Sequence, residues 1–225
     1  FFGQDQGSLR MRVVLLGAPG AGKGTHCKRI VARYGLLHLS SGDILRRERA
    51  EGTALGKKAQ SYMDAGTLVP DDLIVEMMSK AIQAARAGGY VLDGFPRTVR
   101  QAEALDRALA KGNNGIDIVI NLQVNDNVVV ERITGRRSCP KCGAVYHVKN
   151  MPPKRDGVCD HDGAALVQRP DDTAEVVKNR LATYYEQTEP VVEYYKARRD
   201  VRDVPADGEA DAVAATLFEE LDAVK

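Results

Sequence analysis

The sequence predicts an α/β fold, a five-stranded parallel sheet flanked by helices. Three observations carry this. Short apolar runs alternate with longer amphipathic stretches along the 225 residues, the pattern of a parallel sheet covered on both faces. The first apolar run feeds a glycine-rich turn and then a helix-like segment, so a ligand crevice belongs at the C-terminal ends of the strands. Two inserts break the alternation, one helical and polar, the other rich in Cys, Pro, Gly and Asp.

The expected strands are Arg12–Leu16, Leu37–Leu39, Tyr90–Leu92, Ile116–Val124 and Val201–Val204. Helical periodicity is expected over Gly22–Tyr34, Ile74–Ala87, Thr98–Lys111, Asn127–Thr134, Ala174–Ala197 and Asp211–Val224. Ser41 to Val69 has no strand signal, and its length suits a small helical flap. Arg136 to Pro170 contains short β-like pieces such as Ala144–Val148. A structureless loop of that length is uncommon in a compact domain, so a lid or a metal-held module is expected. One domain over 11–225 results, with inserts at 41–69 and 136–170. Residues 1–10 are expected to be a disordered extension or a cloning remnant, with Met11 as the natural start.

Composition removes several function classes. With 32 basic and 31 acidic residues the net charge is +1, so no field for polyanions surrounds the whole protein and no nucleic-acid partner is expected. No apolar run is long enough to cross a bilayer, and the polar first ten residues do not resemble a secretory signal. A cytoplasmic monomer is expected. Four cysteines, three of them clustered, suit a reducing compartment with a metal site better than a disulfide framework.

Gly17-Ala-Pro-Gly-Ala-Gly-Lys-Gly-Thr25 is the most specific stretch. Glycines let the backbone curl so that its N–H groups point inward, and the helix N-terminus adds partial positive charge. Lys23 reaches the outer phosphates, and a nearby hydroxyl can face Mg²⁺. The general pattern G-x-x-x-x-G-K-[ST] is met through Lys23, after which Gly24 intervenes before Thr25. Cys27, on the helix that follows, reads as a small core residue.

Asp93-Gly-Phe-Pro-Arg97 follows an apolar strand. A carboxylate at such a strand end, beside a phosphate loop, is where a Mg²⁺–water shell is anchored. Arg97 projects from the same end. Arg132 and Arg136 share one helix face at i, i+4, and Arg169 and Arg180 lie beyond the second insert. Phosphoryl transfer explains arginines at hinge points, because the transferred group spreads charge that positioned cations stabilise. Arg46-Arg47-Glu48-Arg49 reads as a mostly solvated helix face with one member turned to a ligand.

Cys139-Pro-Lys-Cys142 and Cys159-Asp-His-Asp162 give C-x2-C-x16-C-x2-D. Two close-spaced ligand pairs separated by a loop fit a tetrahedral structural Zn²⁺. His161 competes as the fourth ligand, but Asp162 repeats the spacing of the first pair. All positions would then be filled by protein, so the metal would hold a lid that has little core of its own.

Taken in order, these motifs resemble the adenylate kinases, of the long-lid bacterial type with a metal knuckle. The phosphate loop with its extra Gly24, Ser40-Ser-Gly-Asp43, Asp93–Arg97, Arg132-Ile-Thr-Gly-Arg136, Arg169-Pro-Asp-Asp172 and Arg180 carry the resemblance from Met11 onward. It implies a P-loop nucleoside-triphosphate-hydrolase-like fold and the reaction Mg·ATP + AMP ⇌ 2 ADP, which serves adenine nucleotide homeostasis. Gly20, Ala21, Gly22, Lys23, Gly24 and Thr25 would hold the donor phosphates. Thr25 and Asp93 would hold Mg²⁺ through water. Arg132 and Arg136 would clamp the donor, Val145 and Tyr146 would approach its nucleoside, and the loop ending at Ala210 would meet its adenine.

On the acceptor side Ser41, Arg46, Thr67, Leu68, Val69, Gly94, Phe95, Pro96, Arg97 and Gln101 match the family's AMP contacts. Ser41 stands where many members have Thr. Arg169 and Arg180 would reach the phosphates during transfer, alongside Lys23, Arg97 and Arg132. Cys139, Cys142, Cys159 and Asp162 resemble the zinc-holding version of the lid. Closure of both inserts would exclude water, and lid opening with ADP release is expected to limit turnover. Two rivals remain at this level. One is a kinase for CMP or UMP, which Gln101 opposes. The other is a zinc-ribbon nucleic-acid-binding nucleotide switch, which the balanced charge opposes.

Overall fold

The computed structural model describes residues 11–85, 89–110 and 115–224. The expectation for residues 1–10 lies outside these, as do the expected helix ends at Ala87 and Lys111. Five strands form one parallel sheet: β1 (Arg12–Gly17), β2 (Leu37–Ser40), β3 (Tyr90–Asp93), β4 (Ile118–Gln123) and β7 (Val201–Pro205). Their order is β2-β3-β1-β4-β7, so β1 and its phosphate loop lie at the centre of the sheet.

Alternation within β1 builds the two faces. Val14 and Leu16 pack with Leu92, Val119 and Phe95 on one side. Val13 and Leu15 pack with Val91, Ile118 and Ile120 on the other. The first face is covered by α4 (Asp71–Ala84), α5 (Val99–Ala110) and α8 (Glu189–Lys196), and the second by α1 (Lys23–Tyr34) and α9 (Ala210–Asp222). Burial on both sides explains why these strands read as continuous apolar runs. Cys27 is fully buried in the second cluster, as a small core residue.

The first insert contains α2 (Ser41–Ala50) and α3 (Ala54–Ala65). Ser40 caps α2 by accepting from the Asp43 N–H at 3.2 Å, and Thr53 caps α3 through Gly56 N–H at 3.1 Å. The helix expected from Ile74 begins three residues earlier. Pro70 sets the entry, and Asp71 and Asp72 favour the positive end of α4.

The helix expected over Ala174–Ala197 is not a single α-helix. It divides into α7 (Ala174–Thr183), a π turn over Tyr184–Thr188, and α8. Pro190 has no N–H to donate to the carbonyl four residues back, and the chain widens just before it. After α6 (Asp126–Thr134), the second insert contributes a small antiparallel pair, β5 (Arg136–Ser138) and β6 (Val145–His147).

Candidate active site

The phosphate loop turns between β1 and α1. Gly20 has φ 78°, and a Cβ there would lie 2.9 Å from Ile133 Cγ1, so a side chain is excluded on both counts. Ala21 N–H donates to the Ala18 carbonyl at 3.1 Å. Lys23 opens α1, and its Nζ donates to the carbonyls of Gly17 at 2.6 Å and Ala18 at 2.8 Å. Burial, with repulsion from Arg97 and Arg180, pushes Lys23 down to about 8 in spite of Asp93. A Cβ on Gly24 would touch Asp93 Oδ2 at 3.5 Å. The residue that breaks the general motif thus faces that carboxylate from α1. Thr25 lies in the same first turn of α1.

His26 is buried beneath the loop. Burial, followed by the nearby charges of Arg29 and Arg132, pushes its pKa down to about 4. The unfolded chain therefore takes up this proton at a higher pH than the folded one, and stability is fully present above about 6.5. It is lost as pH falls towards about 4. The loss is on the order of 3 kcal/mol. Urea unfolding of His26→Gln is expected to show a flatter pH dependence across that window; a slope equal to that of the parent would refute this.

On the other side of the sheet end a cleft opens between the first insert and the core. Ser41, Arg46, Thr67, Leu68, Val69, Gly94, Arg97, Gln101 and Arg180 all line it, so most of the expected acceptor residues converge. Phe95 is instead packed in the core, and Pro96 follows it through a cis peptide. Gly94 has φ 70°, and a Cβ there would lie 2.7 Å from Arg97 Nη2 and 3.0 Å from Ser41 Oγ. Arg97 Nε donates to the Gly94 carbonyl at 2.8 Å, and Ser41 Oγ donates to it at 2.6 Å. Arg46 pairs with Asp43 and Arg49 with Asp64, while Arg47 is exposed.

Sequence reasoning missed what holds Gln101. Its Oε1 accepts from Arg97 N–H at 2.7 Å and its Nε2 donates to Asp71 Oδ1 at 2.7 Å. Thr98 Oγ1 in turn donates to Asp71 Oδ2 at 3.0 Å. Each end of the amide retains one further bonding position. Asp71 carried no sequence signal for this role, since it lies three residues before the helix expected from Ile74.

Asp171 and Asp172 were also missed as organisers. Asp172 is fully buried and bidentate with Arg136, whose Nε donates at 2.8 Å. Burial opposes the Arg136 charge, but the bond to Asp172 outweighs it and the pKa rises. Arg180 Nη1 lies 3.2 Å from Asp171, and Arg169 Nε donates to Ser138 Oγ at 2.9 Å. Burial and neighbouring cations push Arg169 and Arg180 each down to about 10. Burial lowers Arg97 as well.

Arg132 turns towards the chain after β7, donating to the carbonyls of Ala206 at 2.7 Å, Asp207 at 3.0 Å and Gly208 at 3.2 Å. Ala210 follows at the start of α9, and its carbonyl accepts from Arg29 at 3.0 Å. Val145 and Tyr146 begin β6. The Tyr146 ring packs with Cys139 and Cys159, and its hydroxyl accepts from Asp160 N–H at 2.8 Å.

In the lid, Cys139, Cys142, Cys159 and Asp162 bring ligand atoms within 4.8 Å of one another. His161 is exposed and outside the group. The two halves are near copies. Cys139 N–H donates to Ala144 O and Cys159 N–H to Ala164 O, both at 2.8 Å, and the N–H groups of Gly143 and Gly163 return to the carbonyls of Cys139 and Cys159. The N–H groups of Lys141 and Cys142 point at Cys139 Sγ at 3.4 Å. Asp162 Oδ1 accepts from Ala164 N–H at 3.0 Å. Free cysteines held by paired turns, with donors aimed at sulfur and carboxylate, fit a tetrahedral metal.

Among the described residues no helix is long and apolar enough to cross a membrane. The family model described as Adenylate kinase matches residues 15–200. An adenylate kinase of Lachnospira eligens is 48% identical over 208 residues, covering 92% of this chain and 98% of that protein. One from Caldicellulosiruptor saccharolyticus is 50% identical over 187 residues, 83% of this chain and 87% of its own. One from an Anaeromyxobacter species is 50% identical over 206 residues, 91% and 96%.

Proposed function

The chain belongs to the adenylate kinase family, and we propose that the phosphate loop and the arginine-lined cleft beside it carry out that family's reaction. The enzyme is an ATP:AMP phosphotransferase that uses Mg²⁺ with ATP and binds ATP, AMP and ADP. The observation that carries the residue assignment is a convergence of cations. Arg97 and Arg180 line the same cleft, Lys23 lies near enough to be repelled by both, and burial disfavours the charge on all three. Such a group is relieved by multiply charged phosphates, which is what a bound nucleotide pair supplies.

In this reading the phosphate-loop residues Gly20 to Thr25 hold the donor phosphates. Lys23 exchanges the carbonyls of Gly17 and Ala18 for phosphate oxygens. Thr25 and Asp93 hold the water shell of the Mg²⁺ that arrives with ATP. Arg132 braces the 206–208 carbonyls, which gives the donor adenine a backbone edge ending at Ala210. Arg136 and the β6 residues Val145 and Tyr146 bring the lid to the donor nucleoside, with Tyr146 contributing backbone because its ring fills the knuckle.

The acceptor phosphate is taken by Arg46, Arg97, Arg169 and Arg180. Its nucleoside lies along Ser41, Thr67, Leu68 and Val69, between the first insert and the Gly94–Pro96 turn. The remaining acceptor and donor on the Gln101 amide match an adenine edge. Transfer then needs no covalent help from the protein. The two phosphates are aligned, the charge on the transferred group is met by Lys23 and the arginines, and the closed inserts keep water out. The chain thus divides into a kinase domain over 11–225, an AMP-binding insert over 41–69 and a zinc-binding lid over 136–170. A monomer and a cytoplasmic location complete this reading, the latter suited by cysteines held for a metal and not joined in a disulfide.

ADP formation from Mg·ATP with AMP, CMP, UMP and GMP in turn tests the acceptor. AMP is expected to exceed the others by about 10²-fold or more in kcat/KM; comparable use of CMP or UMP would overturn the adenine assignment. Zn²⁺ fits the lid donor set and would contribute folding energy there, not reactivity, since protein fills all four positions. Protein purified without chelator is expected to carry about one Zn²⁺ per chain. Its removal is expected to lower the melting temperature and leave the lid open to proteolysis. Metal-free protein with unchanged melting would refute a structural role.

A further inference from the structure

We propose that Cys27, His38 and Asp93 form a second metal site, for a thiophilic divalent cation such as Zn²⁺ or Cd²⁺, and that filling it inhibits phosphoryl transfer. The three residues come from separate elements. Cys27 lies on α1, His38 on β2 and Asp93 at the end of β3. Ser40 is the register partner of Asp93, so His38, two residues earlier, points to the same face of the sheet. One ligand atom from each residue lies within 4.8 Å of the others.

For two of the three ligands the spacing already approaches that of a metal site. His38 Nε2 and Asp93 Oδ2 are 3.2 Å apart. Two ligands about 2.0–2.1 Å from one tetrahedral ion are separated by about 3.3–3.4 Å. Cys27 lies beneath them, fully buried, while the His38 and Asp93 side chains keep 19% and 13% exposure. An ion can therefore enter over the imidazole and carboxylate and bind the sulfur below, leaving its fourth position to water. The thiol proton leaves to solvent as the metal–sulfur bond forms.

A sulfur, nitrogen and oxygen donor set selects Zn²⁺ or Cd²⁺ and is poor for Mg²⁺, which demands oxygen ligands and keeps its waters. Inhibition rests on the reading of Asp93 as the anchor of the Mg²⁺ water shell. A carboxylate that has given one oxygen and most of its charge to a second cation holds that shell less well. Metal binding itself does not depend on that reading.

Enzyme with its lid site filled is titrated with Cd²⁺, dialysed free of excess metal, and followed by ¹¹³Cd NMR and by thiolate-to-cadmium charge-transfer absorption. The expected result is one Cd²⁺ per chain beyond the lid metal, with a resonance typical of a single sulfur ligand and a fall in turnover that tracks occupancy. Cys27→Ser and His38→Asn are expected to retain basal turnover. The resonance is lost in the first variant, and affinity falls by about tenfold or more in the second. A charge-transfer band undiminished in both variants would assign the cadmium to the lid cysteines and overturn the site. Should Cys27→Ser fail to fold, His38→Asn carries the test alone. Stoichiometric binding with undiminished turnover would uphold the site, overturn its inhibitory role and count against the Asp93 assignment.

Discussion

Lys23→Met is expected to leave the fold intact and to lower turnover by about 10³-fold or more. Among the described residues the ammonium donates to two carbonyls of its own loop, so its loss breaks local hydrogen bonds. The apolar stem of methionine fills much of the same partly buried space. What disappears is a cation held where charge develops on the transferred phosphoryl group. A loss of this size corresponds to about 4 kcal/mol of transition-state stabilisation. Steady-state kinetics with a parallel melting curve would check both halves. Near-normal turnover would refute the role of Lys23, and a collapse in melting temperature would refute the claim that the fold is unaffected.

Asp172→Ala is expected to destabilise the protein by about 3–5 kcal/mol, read from urea unfolding. Asp172 is fully buried and is the bidentate partner of Arg136 at the root of the lid. Its backbone carbonyl also accepts from Gln168 Nε2 at 3.1 Å. Removing the carboxylate leaves the Arg136 guanidinium, itself largely enclosed, without its partner. The cost is mostly that uncompensated charge. Asp172→Asn retains an acceptor and is expected to lose less. A loss below about 1 kcal/mol in the alanine variant would mean that the pair behaves like a surface ion pair.

Much of the site was readable because phosphate chemistry leaves local marks. The strand, glycines, Lys23 and helix are consecutive, and the same chain segment forms the cradle. The knuckle was readable for the same reason: each ligand pair sits in one short turn, and the repeated spacing led to Asp162, which the structure gathers with the three cysteines while His161 stays exposed. Asp71 was not readable. It reaches Gln101 across 30 positions, and it precedes the helix expected from Ile74. Asp172 was visible only as part of a motif, because its burial depends on the lid root folding over it. The π turn before Pro190 was missed because apolar periodicity continues through it.

By itself, then, the sequence determined the α/β class, the strand order of appearance, the two inserts, the phosphate loop and the ligand pairs of the knuckle. The loop and the ligand pairs lie within about a dozen positions, and the class and inserts follow from a succession of such local patterns, where periodicity and turn chemistry act directly. Only the tertiary structure decided which charges meet. It placed β1 between β3 and β4, brought Arg97 and Arg180 to Lys23, turned Arg132 towards the 206–208 carbonyls and set Cys27 beneath His38 and Asp93. The physical reason is that electrostatic and metal-binding partners are chosen by distance in space, and a parallel sheet brings strand ends together from distant parts of the chain.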